Sequence, residues 1–213
     1  MPRDELTAYV LGGGGVLGSS EVGMVRALAE HGIRPDVVLG TSIGAMNGAF
    51  IAADPGVEGA ERLAAVWEAV VREGVFLDNP MRQAARVAKY RTHLLSNAPL
   101  RHVIERYLPV SRFEELEVAF QCVAACIEDS SGRWFTDGDL TDAVVASCSV
   151  PGLFPPVKID DRHYLDGGLV VTVGDGRVTA VRIERAAADH ARLRGLDPWW
   201  SVLLALDAKT LAK

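Results

Sequence analysis

The sequence has 213 residues, of which 49% are hydrophobic and 23% are charged. This composition is typical of one globular domain with a sizeable core and excludes a disordered chain. The formal net charge of −6 argues against nucleic acid as the main partner, because neutralising phosphates needs a basic surface. We therefore expect a single domain over residues 1–213 that does not bind nucleic acid.

Cysteine content and the N-terminal segment bear on location. Three cysteines are too few and too oddly numbered for a disulfide framework, so we expect buried thiols at Cys122, Cys126 and Cys148. The N-terminal residues lack the basic region and apolar stretch of a secretory signal. No apolar run approaches the ~20 residues of a membrane-spanning helix. These observations predict a cytoplasmic protein that could also contact a membrane peripherally.

The first quarter of the chain predicts alternating strands and helices. Residues 7–11 are a short apolar strand that ends at four glycines, and a helix capped by Ser19 or Ser20 follows to about His31. Residues 37–39 form a strand apolar on both faces, and a second helix begins after Ser42 and runs through Ala53. This strand–helix order predicts a parallel sheet with flanking helices.

The rest of the chain predicts fewer strands. Residues 57–108 look helical, with an apolar stripe at Leu63, Val66, Trp67, Val70 and Val71. We expect a third strand at residues 117–127, an antiparallel return at 134–136, a helix at 140–148, and strands at 157–159 and 163–165. A hairpin is predicted at residues 170–183 around Gly-Asp-Gly, with a helical ending to residue 213.

Residues 40–44, Gly-Thr-Ser-Ile-Gly, carry the strongest chemical signal. Ser42 stands between a strand and a helix, with Gly40 and Gly44 two places away on either side. This pattern permits the sharp turn of a nucleophile elbow, in which larger residues at the glycine positions would collide with neighbouring backbone. The helix N-terminus beyond Ser42 would favour a developing oxyanion. The alternative is a plain helix cap at a small-residue turn.

Four consecutive glycines, residues 12–15, precede the first helix and are here termed the glycine loop. Its amides open onto a helix N-terminus and can form an anion-binding nest, which would hold an oxyanion in an acyl hydrolase. Gly13, Gly15 and Gly18 also match a dinucleotide-binding fingerprint, but the acidic residue expected at the end of the second strand is missing. A P-loop is excluded, since no Gly-Lys-Ser/Thr follows. A plain flexible loop remains the other alternative.

A nucleophilic serine needs a base. An ordinary α/β-hydrolase places several strands before its elbow and a histidine late in the chain, whereas here one strand precedes the strand of the elbow. The histidines lie at a helix end, in basic helical stretches or in a surface strand. Asp166 is a better candidate, because it ends an apolar strand and precedes Gly167 and Gly168. An Asp-Gly-Gly sequence by itself is usually only a turn.

Taken together, these residues give the chain a family resemblance. It resembles the patatin-like phospholipases over about residues 6–169. Four blocks match in order: the glycine nest (residues 13–18), the elbow (residues 40–44), the stretch Ala-Ser-Cys-Ser-Val-Pro-Gly-Leu-Phe-Pro-Pro (residues 146–156) and Asp-Gly-Gly (residues 166–168).

The resemblance implies a fold and a mechanism. The fold would be a three-layer α/β fold with a mainly parallel central sheet flanked by helices. Asp166 would activate Ser42 as a catalytic dyad without histidine, and the amides of Gly13, Gly14 and Gly15 would form the oxyanion hole. The reaction would transfer an acyl group from a lipid ester to Ser42 and then hydrolyse the acyl-enzyme. No metal and no organic cofactor are implied.

Two features depart from the family pattern. Leu17 stands where the family usually carries Arg or Lys, immediately before the last glycine of the nest. After Asp166-Gly167-Gly168 the family continues with an Asn-x-Pro-like segment, which this chain lacks. We therefore expect residues 170–213 to be an atypical C-terminal segment, either divergent or incomplete.

The sequence therefore predicts a serine acyl hydrolase, an esterase or phospholipase A-like enzyme acting on carboxylic esters of lipids. The alternative is a catalytically silent lipid-binding or interaction domain on the same fold. Residues 81–106 are rich in arginine and lysine and could contact an anionic membrane, or could simply be a solvated helical face. The acyl-chain preference and the oligomeric state are not predicted.

Overall fold

The computed structural model describes residues 6–90 and 92–171, and within them six strands form one sheet. The strands are β1 (Ala8–Leu11), β2 (Val37–Thr41), β3 (Ala119–Cys126), β4 (Gly132–Phe135), β5 (Val157–Ile159) and β6 (Arg162–Asp166). β1, β2 and β3 are parallel neighbours, β4 and β6 pair antiparallel with β3, and β5 pairs antiparallel with β6. Four of these six strands (β1, β2, β3 and β5) thus run in one direction, and the predicted mainly parallel sheet is confirmed.

One edge of β3 holds β2 and β6 end to end. Val123 pairs with Thr41 of β2, and the next residue, Ala124, pairs with Asp166 of β6. Val123 and Ala124 both pair with β4 as well, so β4 occupies the opposite edge of β3. Because β6 is antiparallel to β3, the carboxyl ends of β2 and β6 meet at this point.

Helices pack against the sheet, as predicted. They are α1 (Ser19–Glu30), α2 (Ile43–Ala53), α3 (Val57–Arg72), α4 (Pro80–Tyr90), α5 (Ala98–Tyr107), α6 (Leu140–Ser147) and α7 (Gly168–Val171). Short 3-10 turns lie at Gly15–Gly18 and Phe113–Glu115. α2 packs on β1, β2 and β3, α6 packs on β3, β5 and β6, and α3 contacts α1, α2 and α5.

Helix α2 is buried along almost its whole length, because it is apolar on all sides. Gly48 lets this helix lie close to the sheet. A Cβ atom at position 48 would be 2.8 Å from Cε2 of Phe120 and 3.1 Å from Cγ1 of Val38. This packing fixes the helix whose first residue directly follows Ser42.

The apolar stripe predicted for α3 is confirmed in four of its five residues. Leu63, Val66, Trp67 and Val70 are buried, but Val71 is 71% exposed. One residue further along a helix is a rotation of about 100°, and at Val71 this rotation turns the side chain outward. Including Val71 in the buried stripe was therefore wrong.

The predicted strand at residues 170–173 is also wrong where the structure describes it, since Gly168–Val171 is a helical turn. The amide of Gly168 donates a 2.7 Å hydrogen bond to Oδ1 of Asp166, and such an Asp side chain bond closes a turn in place of extended backbone. The remainder of the predicted hairpin and of the atypical segment, residues 172–213, lies outside the described residues.

The three cysteines are buried and unpaired, as predicted. Burial raises the pKa of the Cys122 and Cys148 thiols, which keeps them protonated. Nowhere in residues 6–90 and 92–171 is there a helix long and apolar enough to cross a membrane.

Candidate active site

Ser42 occupies a strained turn between β2 and α2. Its backbone has φ 55° and ψ −128°, a region that residues with a side chain rarely adopt and that costs about 1–3 kcal/mol. The chain here leaves the carboxyl end of β2 and enters the first turn of α2 within one residue. The sharp turn predicted for residues 40–44 is thus confirmed, and only 9% of Ser42 is exposed.

The two elbow glycines are required by close backbone packing. A Cβ atom on Gly40 would be 2.5 Å from the carbonyl oxygen of Gly44 and 2.6 Å from Cα of Ala45. A Cβ atom on Gly44 would be 2.5 Å from the carbonyl oxygen of Gly12, where the glycine loop passes. The predicted collisions are therefore confirmed, and they explain why both positions are glycine.

Asp166 is the last residue of β6 and is only 6% exposed. Its Oδ1 accepts the hydrogen bond from Gly168, whereas its Oδ2 is buried and has no hydrogen-bond partner in the described part of the chain. Burial raises the pKa of this carboxyl, and the nearby Ser42 side chain and the Gly168 amide partly oppose that rise. The structure thus brings Ser42 and Asp166 together, although no hydrogen bond of standard geometry reaches Oδ2.

A short segment at the C-terminal end of α6 is bonded to both residues. The amide of Ser42 donates a 3.0 Å hydrogen bond to Oγ of Ser147, and Sγ of Cys148 donates to the Ser42 carbonyl oxygen at 2.9 Å. The amide of Asp166 donates to the Ser149 carbonyl at 2.9 Å, and the amide of Gly167 donates to the Ser147 carbonyl at 3.3 Å. Residues 147–149, here termed the clamp segment, therefore hold the elbow and Asp166 against one another.

The glycine loop lies beside the elbow. A Cβ atom on Gly13 would be 3.2 Å from Cβ and 3.9 Å from Oγ of Ser42, which places Gly13 against the serine. Gly15 has φ 57° and begins the 3-10 turn that leads into α1. A Cβ on Gly14 would meet Leu17 and Gly18, and one on Gly15 would meet open space. Gly13 is thus the predicted loop residue that directly faces Ser42.

A buried polar network fixes this loop to α2. Glu21 accepts hydrogen bonds from the Gly12 amide at 3.1 Å and from Nδ2 of Asn47 at 2.7 Å. Asn47 also donates to the Gly18 carbonyl at 2.9 Å and accepts from Nε1 of Trp67 at 3.0 Å. Because such a bond network is costly to break in a dry interior, it holds the loop in one position relative to the elbow.

Leu17, the position where the family pattern carries a cation, is 75% exposed on the 3-10 turn. Its neighbour Val16 is 60% exposed and borders an open groove of about 550 Å³ that is also lined by Trp67 and Val71 of α3. The surface next to the glycine loop is therefore apolar.

No histidine in the described residues is hydrogen-bonded to Ser42. His31 bonds the Ala27 carbonyl, His93 stacks on Tyr90, and His163 pairs with Glu128. Hydrogen bonds from the backbone amide and the ring of His163 lower the pKa of Glu128 to about 2. Both side chains are exposed, so this pair belongs to the surface at β6. His190 lies outside the described residues.

Sequence reasoning did not single out the individual residues that support the site. Ser147 and Cys148 could be found from the sequence only as members of the Ala-Ser-Cys-Ser block, because no chemical pattern points to either residue. Asn47 gave no signal, and Trp67 was predicted only as an apolar residue of the α3 stripe, because a buried amide–indole hydrogen bond leaves no periodic pattern in the sequence. In the part of the chain that is described, no cluster of His, Cys, Asp and Glu could hold a metal ion.

Fold and site together define an α/β protein whose strand–turn–helix serine faces a buried aspartate. Residues 9–174 match the family model described as "Patatin-like phospholipase". The chain belongs to the patatin-like phospholipase family.

Similar proteins agree with this assignment. The chain is 31% identical over 205 residues to "Patatin-like phospholipase domain-containing protein 7" of Mus musculus, covering 91% of this chain and 15% of that protein. It is 32% identical over 169 residues to "Lysophospholipase nte1" of Aspergillus terreus, covering 76% of this chain and 10% of that protein. It therefore spans a small part of these relatives. VipD from Legionella pneumophila has the same fold with a TM-score of 0.54 at 15% identity, over 78% of this chain and 46% of that one.

Proposed function

We propose that this protein is a serine acyl hydrolase that cleaves carboxylic esters of lipids, with Ser42 as nucleophile and Asp166 as its base. The observation that carries the proposal is the strained Ser42 turn beside a buried carboxylate whose Oδ2 has no hydrogen-bond partner among the described residues. Strain and an unpaired buried oxygen are costly, and both are typical of active sites.

Asp166 can act as a base because of its surroundings. A carboxylate is a weak base in water, and burial raises the pKa of Asp166 toward the range in which proton transfer is effective. Hydrogen bonds in free enzymes are often long and tighten only when substrate binds. Asp166 therefore receives the Ser42 proton when an ester occupies the site.

The reaction then follows in two steps. Oγ of Ser42 attacks the ester carbonyl carbon while its proton passes to Asp166, and the amides of Gly13, Gly14 and Gly15 stabilise the resulting oxyanion. Each such donor is worth about 3–4 kcal/mol in comparable sites. The carbonyl re-forms, the alcohol leaves with the proton held by Asp166, and a water activated by the same carboxylate releases the acid from Ser42. The chain needs no cofactor for these steps.

The lipid nature of the substrate rests on the family and on relatives. A relative is named a lysophospholipase, and the groove beside the glycine loop is lined by Val16, Trp67 and Val71. Apolar walls beside the glycine loop suit an acyl chain. We therefore propose monoacyl and diacyl glycerolipids as the substrate class.

Covalent labelling tests the nucleophile. A fluorophosphonate probe should label the parent protein and should not label Ser42→Ala, while Ser111→Ala, which removes an exposed hydroxyl just before the 3-10 turn at Phe113–Glu115, should be labelled like the parent. Equal labelling of the parent and Ser42→Ala, or none of a folded parent, would contradict the proposal.

A second candidate is a catalytically silent lipid-binding domain, favoured by the exposed Leu17 in place of a cation. Release of fatty acid from lysophosphatidylcholine separates the two functions. The hydrolase gives turnover that is lost in Asp166→Asn, whereas the silent domain binds lipid without releasing product. Leu17→Arg tests whether the missing cation limits the rate.

A further inference from the structure

Helix α4 lies on the protein with its polar side inward. Nε2 of Gln83 donates to the Asp78 carbonyl at 3.0 Å, and Arg86 is ion-paired with the Asp78 carboxylate and donates to the Leu94 carbonyl at 3.3 Å. These two side chains, one turn apart, are the half-buried ones of the helix, and they contact the chain that flanks it on both sides. Polar contacts therefore attach the helix to the rest of the chain.

The apolar side of α4 faces outward. The outer face of α4, as used below, comprises Met81, Ala84, Ala85, Val87 and Ala88, which share one side of the helix and are all exposed. Met81 is 81% exposed and Val87 is 41% exposed, and Leu77 just before the helix is 76% exposed. A helix on a globular protein normally turns its apolar stripe to the core. The reverse orientation of α4 exposes an apolar surface that calls for an apolar partner.

Positive charges border this surface. Arg82 and Lys89 are exposed on the same helix beside the outer face, and neither forms an ion pair within the described residues. Helix α4 contains no acidic residue, although the whole protein carries a net charge of −6. Exposed apolar residues flanked by cations are typical of helices that lie in the interface of an anionic bilayer.

The outer face of α4 is connected to the active site. After the helix, the amides of Leu94 and Leu95 donate to the carbonyls of Gly152 and Leu153 at 3.1 and 2.8 Å. Before the helix, the ring of Phe76 packs edge-on against the ring of Phe154, with 6.4 Å between the two ring centroids. Both flanks of α4 thus rest on the chain directly after the clamp segment that bonds Ser42.

We propose that the outer face of α4 docks on an anionic lipid surface and so carries the Ser42 site to its substrate. The proposal rests on the proposed lipid hydrolase function for its purpose, but its geometry is independent of catalysis. Lipid is favoured over a protein partner because the large apolar side chains are few and are separated by alanines, with cations at their border. A bilayer accepts such a surface without a matching shape.

Binding of the full-length chain to vesicles tests the proposal. Sedimentation with phosphatidylcholine vesicles, with and without phosphatidylglycerol, should show binding that needs the anionic lipid and falls with added salt. Met81→Glu should weaken the partition constant about tenfold or more, as should the double change Arg82→Glu with Lys89→Glu. Ser42→Ala should bind like the parent.

The control variants carry the same kinds of substitution at the end of the sheet opposite the Ser42 elbow. Ile33 is 42% exposed and precedes β2, at the end opposite the elbow, and Arg34 and Arg62 lie near Asp54 at that same end. Ile33→Glu, and Arg34→Glu with Arg62→Glu, should leave vesicle binding within about twofold of the parent, because surface changes away from the contact alter it little. The α4 variants and these control variants, but not Ser42→Ala, should hydrolyse a water-soluble short-chain ester at the parental rate.

The outcomes separate this inference from the function. No vesicle binding by the parent, or equal losses in the α4 and control variants, would overturn the docking surface even if ester hydrolysis is found. A parent dimer that Met81→Glu converts to monomer, or a lower melting temperature of Met81→Glu with unchanged vesicle binding, would instead assign the outer face to a second copy or to another part of the chain. Vesicle binding without fluorophosphonate labelling would contradict the proposed function and leave the docking surface standing.

Discussion

Thr41 and Asp166 pair with consecutive residues of β3, Val123 and Ala124, on the same edge of that strand. Ser42, which follows Thr41, therefore turns away from β2 at the point where β6 delivers Asp166. A single strand thus sets the distance between the proposed nucleophile and its base. The clamp segment then bonds the backbone of both residues from one side.

Replacing Asp166 by Asn should separate activity from stability. We expect ester hydrolysis to fall by about 10²–10⁴-fold, because the amide cannot accept the Ser42 proton. The amide oxygen can still accept the Gly168 hydrogen bond, and the buried charge is removed, so the free energy of unfolding at neutral pH should not decrease. Urea denaturation measures it, and a large loss of stability would contradict the view of Asp166 as a strained base.

The pH dependence follows from the raised pKa of Asp166. Because the ionised form is the base, kcat/KM should rise with pH through an apparent pKa above the ordinary 3.8. The free energy of unfolding changes with pH in the opposite direction to kcat/KM. A raised pKa contributes stability that is complete below the unfolded pKa and is lost as pH rises through the folded pKa. The advantage of Asp166→Asn in unfolding free energy should therefore shrink toward acid pH, and an advantage that grows there would contradict the assignment.

Gly44→Ala should be severely destabilising. Its Cβ would lie 2.5 Å from the Gly12 carbonyl oxygen, so backbone must move, at a cost of about 3 kcal/mol or more. Gly23→Ala is the matched control, since a Cβ there meets nothing within 4 Å on the exposed side of α1. That change should stabilise by about 1 kcal/mol. Thermal unfolding of the pair distinguishes close packing at the elbow from a general effect of alanine.

Two neighbouring glycines of the loop should respond differently. A methyl group on Gly13 would press on Cβ of Ser42 at 3.2 Å, whereas one on Gly14 would meet its nearest atom at an ordinary 3.7 Å. Gly13→Ala should lower kcat about tenfold or more by shifting the serine. Gly14→Ala should stay within a few-fold of the parent, because its methyl group would not press on Ser42. A larger loss in Gly14→Ala would place the sensitive position elsewhere in the loop.

The clamp segment predicts a ranking of two substitutions. Ser147→Ala leaves the buried amide of Ser42 without an acceptor and should cost about 1–3 kcal/mol. Cys148→Ala should cost less, because the Ser42 carbonyl still accepts from the amide of Ala45 at 2.8 Å. Ser147→Ala should also slow fluorophosphonate labelling more than Cys148→Ala does. Cys148→Ser should be labelled at nearly the parental rate. Slower labelling in Cys148→Ala than in Ser147→Ala would reverse the proposed importance of the two bonds.

Local patterns predicted the elbow well. Glycines on both sides of Ser42 indicate a helix crossing close to a strand, since no other residue fits there, and the structure confirms the turn and the collisions. The first strands and helices were predicted within about two residues for a related reason. Their apolar stretches are bounded by glycine, serine or charge.

Other features depend on partners distant in the chain. The sequence of β6 does not indicate that this strand lies end to end with β2, because pairing with β3 decides where β6 lies. The composition of α4 indicates two sides but not which side faces the protein, and Asp78 and Leu94 decide this through Arg86. Val170 looked like a strand residue, yet the bond between Gly168 and Asp166 had already started a helical turn. The roles of Ser42, Asp166 and the loop amides remain predictions.

The meeting of β2 and β6 has a consequence for how the protein acquires its site during folding. Ser42 and Ser147 are 105 residues apart in the chain, and Asp166 comes later still, so the complete site cannot form from local contacts. Long-range pairing is the slow part of folding, because a large loop must close before its contacts stabilise it. The first helices can form early, but the serine meets its carboxylate only after β3 has paired with β2 and β6 has joined the same edge. Recovery of reactivity toward a fluorophosphonate therefore reports completion of the sheet, not the return of helical structure.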